Sequence, residues 1–595
     1  MELKNRADMD SAYQWDLSPI FTDQKAWETA YAAAEQAVGQ IASLAGTLGA
    51  SPEAMKRGLD TVYQTLQEVE RVYLYASLLK NSDNGDAQYQ KMEGKAMNLY
   101  VAMSTACAFL DPEILALPEE TLQQFMDAPC LASYRHILED TNRARPHTLD
   151  EQGERLLAML SDAAGTPDNC FTMLESVDMT FPAIRDERGE EVQLTHGNYA
   201  LFRVSADQRV RRESFEAYHG TFKKYINTIA AMYAGSVKMD TYYTQARHYG
   251  SACERALFGS NVPLSVYDSL IAAVHDSLPS MQQYLALRQK VMGLEELNMY
   301  DLYCPMVEDI DLHIDFAQAK ELVFQATAPL GEEYHQLLQR AFDERWIDVY
   351  ENKGKTTGAF SCGVYGVHPY VLMNFAGTIE DAFTLAHELG HSMHSYFSDH
   401  AQDFANHDYR ILVAEVASTV NEVLLTKYLL KVEQDPKRRA YLLNHFLEGF
   451  RTTVYRQTLF AEFERKAHEL YQKGEPLTAE VLSGIYRELN DLYYAGAVNN
   501  PLQDVEWARV PHFYTAFYVY QYATGFCSAV AIANDILSNG DASQYLKFLT
   551  TGGSMYPIDE LKIAGVDLTK PETVQNALEV FQTSLDELEQ MLEKL

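Results

Sequence analysis

The stretch that decides the fold is His387-Glu388-Leu389-Gly390-His391, an H-E-x-x-H pattern inside a run with the periodicity of an amphipathic helix. Residues four apart on a helix lie on one face, so both histidines can reach a single metal ion. Glu388 lies beside the first ligand, where it can handle the proton of a water at the metal instead of binding the metal. The stretch therefore predicts a helical zinc site with its own acid/base group.

The residues before this pattern favour a buried helix that follows a strand. Thr378 and Asp381 have capping-box spacing, which predicts a helix start. Residues 370–376 (YVLMNFA) are rich in aromatic and β-branched residues, which predicts a short strand. The free edge of such a strand can hold a substrate backbone by β-augmentation. The apolar surface of the helix comes from Ala382, Phe383, Leu385, Ala386, Leu389 and Met393.

A catalytic zinc usually takes three protein ligands, so a third ligand is needed. The extended H-E-x-x-H-x-x-G-x-x-H pattern is excluded, because His394 and Phe397 occupy its Gly and last His positions. The alternative is a carboxylate from the apolar helix predicted over residues 411–425, in which Glu415 and Glu422 lie two turns apart on one face. An acid in so apolar a helix must be paired or coordinated. We expect Glu415 to be the third ligand and Glu422 to accept a hydrogen bond from a ligand histidine.

With these ligands assigned, the chain resembles a known family. Residues 387–391 followed by residues 415–418 (EVAS) are similar to the thimet oligopeptidase-like zinc metallopeptidases, and most similar to their oligoendopeptidase F branch. Thimet oligopeptidase and its near relatives have proline at the position of Ala417, which favours that branch and leaves the ligands unchanged. The resemblance continues through residues 15–21 (WDLSPIF), 358–361 (GAFS), 370–376, 511–525 (PHFYTAFYVYQYATG), 552–557 (GGSMYP) and 564–567 (AGVD).

The resemblance implies a mainly α fold of the zincin or gluzincin type. It implies a large helical ellipsoid with a deep substrate channel, a small β-sheet beside the zinc-binding helices, and one Zn²⁺ per chain. Residues 179–184 and 192–194, separated by residues 186–189 (DERG), predict a hairpin that ends an N-terminal helical region. We therefore expect residues 1–200 to form part of the channel wall and residues 201–595 to form the catalytic domain.

The same resemblance assigns stabilisation of the oxyanion to a histidine and one or two tyrosines of the segment 511–525. We carry these roles to His512, Tyr514 and Tyr518, and Tyr520 could replace either tyrosine. A phenol can donate a hydrogen bond to an oxyanion without adding positive charge beside the zinc. If the segment is helical, Tyr514, Tyr518 and Tyr522 lie on one face.

Composition bounds the remaining possibilities. The 595 residues have 47% hydrophobic content, which is ample for a large core, and a net charge of −36, which argues against nucleic acid and anionic membranes as partners. No apolar run approaches the length of a membrane span, and the N-terminus lacks the apolar region of a secretory signal. The odd count of seven cysteines fits a reducing compartment, so we expect a cytoplasmic protein.

The function predicted from these observations is hydrolysis of internal bonds in short oligopeptides, as in oligoendopeptidase F. Two alternatives keep the zinc chemistry, a dipeptidyl carboxypeptidase and a carboxypeptidase, and no sequence feature selects a terminal carboxylate. A third alternative is a peptide-binding protein with a structural zinc. Glu388 argues against that alternative, because a structural site has no use for an acid/base group.

Overall fold

Helices dominate the computed structural model, which describes residues 3–307 and 313–594. The first group comprises α1 (Gln24–Ile41), α2 (Pro52–Ser82), α3 (Ala87–Ala106), α4 (Leu110–Ala116), α5 (Glu119–Met126), α6 (Arg135–Arg143), α7 (Glu151–Ala164), α8 (Thr166–Met173), α9 (His196–Phe202), α10 (Gln208–Lys224), α11 (Ile226–Ala246), α12 (Ala252–Phe258) and α13 (Leu264–Asp276). The second group comprises α14 (Leu278–Val291), α15 (Phe316–Ala326), α16 (Glu332–Asp343), α17 (Ile379–Ala401), α18 (Ile411–Val432), α19 (Pro436–Gly449), α20 (Arg456–Gln472), α21 (Ala479–Tyr493), α22 (Tyr520–Asn539), α23 (Ser543–Leu549), α24 (Pro557–Ile563) and α25 (Glu572–Leu592).

Two small sheets accompany the helices in the described part of the chain. The strands are β1 (Ala183–Arg185), β2 (Glu191–Gln193), β3 (Ile347–Asp348), β4 (Phe360–Cys362) and β5 (Tyr370–Leu372). β1 and β2 form the predicted antiparallel hairpin, with Ala183 opposite Gln193. In the other sheet the strand order is β3-β5-β4, with β3 parallel and β4 antiparallel to β5. The expected mainly α fold with a small sheet is confirmed.

The chain divides into two compact units, and neither is continuous in sequence. The first comprises Met1–Pro146, Asp311–Tyr428 and Ile532–Val566, and the second comprises His147–Ile310, Leu429–Ala531 and Asp567–Leu595. Contacts between residues far apart in the chain define this division, and such contacts leave no local signal in the sequence. The functional boundary expected near residue 200 stays a prediction.

The N-terminal segment packs on the three-stranded sheet of the first unit. Trp15 is 6% exposed and meets the ring of Tyr370 edge to face, with the ring centroids 6.2 Å apart. The Tyr370 hydroxyl donates to the carbonyl oxygen of Asp16 at 3.0 Å. This packing gives the residues around Trp15 a structural role, because they hold the central strand of the sheet that precedes α17.

One stretch differs from the expectation about membrane spans. Ala87–Ala116 has the length and the mean hydropathy, 1.3, of a span, although a single stretch of this kind is weak evidence. It does not form one continuous α-helix, because α3 ends at Ala106 and α4 begins at Leu110.

Candidate metal centre

Helix α17 begins at a capping box, as the sequence predicts. The backbone N–H of Asp381 donates to Oγ1 of Thr378 at 3.3 Å, and Oδ2 of Asp381 accepts from the backbone N–H of Thr378 at 2.8 Å. The reciprocal bonds satisfy two donors at the helix start. They fix where the helix begins, and with it the face on which His387 and His391 lie.

Three ligand atoms from α17 and α18 converge in the first unit. Nε2 of His387 lies 3.2 Å from Nε2 of His391, and Oε2 of Glu415 lies 3.4 Å and 3.6 Å from these two atoms. A tetrahedral ion with zinc-like bond lengths needs ligand atoms about 3.3 Å apart. The residues therefore fit one Zn²⁺ and leave its fourth position open. Across residues 3–307 and 313–594, no other trio of His, Cys, Asp and Glu side chains gathers ligand atoms this closely.

A carboxylate behind the first histidine fixes the direction of its ring. Oε1 of Glu422 accepts a hydrogen bond from Nδ1 of His387 at 2.5 Å, which leaves the Nε2 lone pair directed toward the other two ligands. Burial alone would lower the pKa of His387, but Glu422 raises it to about 9. The same negative field stabilises a cation at this point.

The pKa values of Glu388 and Glu415 are shifted in opposite directions. Glu388 is 7% exposed, and burial raises the pKa of its carboxyl group. The nearby imidazole of His391 lowers the pKa of the Glu415 carboxyl group. Two carboxyl groups whose environments separate their pKa values suit different roles, the lower for a charged ligand and the higher for proton transfer near neutral pH.

Gly390 allows the two metal-binding helices to touch. A Cβ atom on this residue would lie 2.6 Å from Cα of Ser418 and 2.7 Å from the carbonyl oxygen of Ala417, both on α18. Any other residue would push the helix that carries His387 away from the helix that carries Glu415. The glycine of the deciding stretch thus has a packing role that sequence reasoning did not find.

Asn421 also joins the two helices and was missed. Its Nδ2 donates to the carbonyl oxygen of Ala386 at 3.0 Å, and its Oδ1 accepts from the hydroxyl of Tyr334 at 3.0 Å. Asn421 is fully buried, so these bonds satisfy polar atoms that water cannot reach. A polar residue in an otherwise apolar helix, beside Glu422, was the signal that could have found it.

The strand that was expected to have a free edge has none. Tyr370–Leu372 is the central strand of its sheet, so the prediction that this strand has a free edge is wrong. The two edge strands are β3 and β4, and Oγ of Ser361 on β4 lies 2.8 Å from Oγ of Ser392 on α17. The sequence pattern showed that a strand was present but not its neighbours, because strand order depends on pairing between distant segments.

The tyrosine-rich segment belongs to the second unit and is not one helix. A 3₁₀-helix covers Pro511–Tyr514 and α22 begins at Tyr520, so the condition for a shared face of Tyr514, Tyr518 and Tyr522 is not met. Phe517 between them has a φ of 59°, and its backbone N–H donates to Oε1 of the buried Glu464 at 3.0 Å. This left-handed residue breaks the helical path.

The turn at Phe517 separates the candidate oxyanion donors into two groups. The ring of His512 stacks on Tyr518 with centroids 5.8 Å apart, and Tyr522 lies 5.5 Å from Tyr518. Tyr514 instead stacks on Phe171 at 4.8 Å, and its buried hydroxyl has no hydrogen-bond partner among the described residues.

Tyr520 and His394 both lie in buried, aromatic surroundings. Tyr520 is 3% exposed and packs against Tyr267 with centroids 5.2 Å apart, which places it in the core of the second unit. His394, which occupies the Gly position of the extended pattern, is fully buried, and its ring stacks on Tyr409 with centroids 3.7 Å apart.

Comparison with known proteins gives a consistent family assignment. A model described as peptidase family M3 matches residues 201–580, and one described as oligopeptidase F matches residues 113–181. Oligopeptidase PepF of Bacillus subtilis (strain 168) is 43% identical over 598 residues, covering 100% of this chain and 89% of the relative. A solved Chlamydophila abortus structure assigned as a peptidase has a TM-score of 0.93 at 32% identity, covering 99% of this chain and 100% of that one. Oligoendopeptidase-F from Enterococcus faecium has a TM-score of 0.75 at 34% identity, covering 96% and 100%.

Proposed function

The chain belongs to peptidase family M3, with the oligopeptidases F, and is an oligopeptide endopeptidase, and from that premise we propose that a single zinc ion held by His387, His391 and Glu415 serves its catalysis. The observation that carries the proposal is the triangle of ligand atoms with edges of 3.2, 3.4 and 3.6 Å. The hydrogen bond from His387 to Glu422 supports it, because such a bond directs the free ring nitrogen toward a metal.

Zinc held there would acidify the attacking water and polarise the carbonyl group of the bond to be cleaved. Glu388 would accept the proton of that water as general base and then donate it to the leaving amine as general acid. Its burial supports this role, because a raised pKa brings a carboxylate closer to the operating pH. Glu415 supplies negative charge as a ligand and takes no part in proton transfer.

The oxyanion formed by the attack needs hydrogen-bond donors positioned in advance. We assign this role to His512, Tyr514 and Tyr518. The stacking of His512 on Tyr518 supports a joint role for these two, since each ring restrains the other. The unpartnered hydroxyl of Tyr514 has a donor to offer, although its ring packs with Phe171.

The substrate backbone would pair with the free edge of β4, the strand that Ser361 ties to α17. An extended peptide can add to such an edge through main-chain hydrogen bonds, which act on any sequence. This arrangement suits an enzyme that cleaves many short peptides. All seven cysteines are free thiols, which supports a cytoplasmic location.

The test is mass spectrometry of digests of unmodified peptides of graded length, with a denatured protein included and Glu388→Gln as the control. We expect internal cuts in short peptides, and a loss of turnover of about 10²–10⁴-fold in the variant with its zinc retained. Stepwise loss from the C-terminus would replace endopeptidase action with carboxypeptidase action. Cleavage by Glu388→Gln at the original rate would remove Glu388 from the mechanism.

A further inference from the structure

The second unit contains a small cavity with an unusual lining, here called the arginine cavity. Its volume is about 20 Å³, and its walls include Arg203, Arg451, Arg456, Arg509 and the single carboxylate Glu506. A cavity of this size holds one particle about as large as a water molecule. Four guanidinium groups around so small a space stand out in a chain whose net charge is −36.

The carboxylates near the cavity are already occupied. Oε1 of Glu506 lies 2.7 Å from Nη2 of Arg456, and Oε2 accepts from the hydroxyl of Tyr486 at 2.6 Å. Arg451 forms two hydrogen bonds with Glu448, at 2.6 and 2.9 Å.

Glu448 is shared in turn with a further arginine, since Arg288 binds it at 3.0 Å. Five guanidinium groups therefore face two carboxylates in this region. Buried positive charge without a counter-charge is costly, because the interior solvates it poorly. The region lacks negative charge.

Three donors remain on residues that line this one space. Nε of Arg203, Nη1 of Arg451 and the hydroxyl of Tyr494 are buried without a hydrogen-bond partner among the described residues, and all three residues line the cavity. Nε of Arg509 lies 3.6 Å from Oε1 of Glu506 and belongs to that ion pair. Arg451 is fully buried and Tyr494 is 3% exposed, so water outside the protein does not satisfy them. A buried donor left unpaired loses its full hydration. Three such donors around one cavity indicate a missing acceptor.

Aromatic contacts hold two of these guanidinium groups in place. Arg203 lies 4.1 Å and Arg451 lies 4.6 Å from the centroid of the Tyr303 ring. Burial by itself would raise the pKa of Tyr303, but Arg456 and Arg451 outweigh it, so the pKa is lowered. The lowered pKa of Tyr303 thus agrees with the excess of guanidinium groups over carboxylates in this region.

We propose that the arginine cavity binds one monatomic anion of chloride size. Such an anion accepts from every unpaired donor at once and supplies the missing negative charge. The small volume favours a monatomic anion over phosphate, sulfate or a peptide carboxylate, whose attached atoms need more room.

A single water molecule fits the volume but brings no charge. Its own hydrogens would also need acceptors, and the unpaired lining atoms that can accept are the phenol oxygen of Tyr494 and Nε2 of His219, whose Nδ1 lies 3.2 Å from the carbonyl oxygen of Phe215. The anion is therefore a structural ligand of the second unit.

The first test uses bromide as the probe. Crystals of the full chain grown in sodium bromide, with data collected at the bromine absorption edge, are expected to show an anomalous peak between Arg203, Arg451 and Tyr494. In solution, the midpoint of thermal unfolding is expected to rise by a few °C and to saturate as sodium chloride replaces sodium gluconate at constant ionic strength. A cavity that holds only water, without an anomalous peak, would overturn the proposal.

The second test compares two buried tyrosines that are neighbours in sequence. Tyr494→Phe removes an unpaired donor from the cavity. The chloride concentration that gives half of the rise in the unfolding midpoint should therefore increase by about tenfold or more. Tyr493→Phe removes a hydroxyl that donates to Glu462 at 3.0 Å, outside the cavity, and should leave that concentration unchanged. Arg203→Met gives the same comparison if Tyr494→Phe does not fold. Equal chloride dependence in Tyr494→Phe, Arg203→Met and the parent chain would contradict the assignment.

Discussion

Glu422 and His387 are joined by a 2.5 Å hydrogen bond that points away from the metal-binding face of the histidine ring. Glu422 touches no ligand atom itself, yet it selects which ring nitrogen is free. Without Glu422, the ring of His387 could rotate or carry its proton on Nε2. The Nε2 lone pair would then no longer point toward the ligand atoms of His391 and Glu415. The carboxylate would therefore act on a bound metal ion through the histidine.

Glu422→Ala is expected to weaken zinc binding by about 10–100-fold, because the ring of His387 loses its orientation and basicity. Competition with a chromogenic chelator measures the affinity. Glu415→Ala removes a ligand and should weaken binding further. Glu433→Ala, just beyond α18, is the control and should bind zinc as the parent chain does. Parent-like affinity in Glu422→Ala would mean that the bond does not orient the ligand.

Gly390→Ala is expected to destabilise the first unit by about 1–3 kcal/mol and to lower zinc affinity, because its methyl group would meet the backbone of α18 at 2.6 Å. Thermal unfolding with and without zinc measures both effects. Gly39→Ala in α1 is the matched control: this helical glycine has nothing within 4 Å of the added Cβ. The control should be neutral or slightly stabilising. A zinc affinity unchanged by Gly390→Ala would show that the helices can separate without moving the ligands.

The three side chains that converge in the candidate metal centre could be predicted from the sequence, because most of the information about them is local. The spacing of His387 and His391 follows from helix geometry, and the capping box at Thr378 and Asp381 is four residues long. Glu415 came from a second helix, but an acid among apolar residues is itself a local signal. For the two histidines and the capping box, neighbours in the chain are also neighbours in space, whereas Glu415 was found by its own unusual surroundings in the sequence.

The parts that sequence reasoning missed depend on tertiary contacts. The break before α22 depends on the left-handed φ of Phe517, and Glu464, which accepts its N–H, lies 53 residues earlier. The central position of β5 depends on pairing with two strands that occur earlier in the chain. Residues of the arginine cavity come from at least three distant segments, including those around Arg203 and Arg451. None of these partners can be read from the pattern around a single residue.

Tyr518→Phe is expected to lower kcat by about 10²–10³-fold with a smaller change in KM, as for a donor used mainly in the transition state. Steady-state kinetics on one short peptide separate the two constants. Tyr514→Phe is the paired variant, and Tyr520→Phe in the core is the control that should leave kcat unchanged. A comparable loss in Tyr514→Phe would establish two tyrosine donors, whereas a loss in that variant alone would move the role from Tyr518 to Tyr514.

Glu560 on α24 is fully buried with both carboxyl oxygens unpartnered among the described residues, and burial raises its pKa to about 8. Between about pH 5 and 8 the folded chain keeps a proton that the unfolded chain releases, so the free energy of unfolding falls as pH rises. Glu560→Gln cannot ionise, and its advantage over the parent chain should grow by up to about 1.4 kcal/mol per pH unit in this window and level off above it. Thermal unfolding of both proteins across the range measures the difference, in which the other titrating groups cancel. Glu572→Gln, at an exposed position at the start of α25, is the control and should follow the parent chain. A constant difference between pH 5 and 8 would mean that Glu560 ionises in the folded chain as readily as in water.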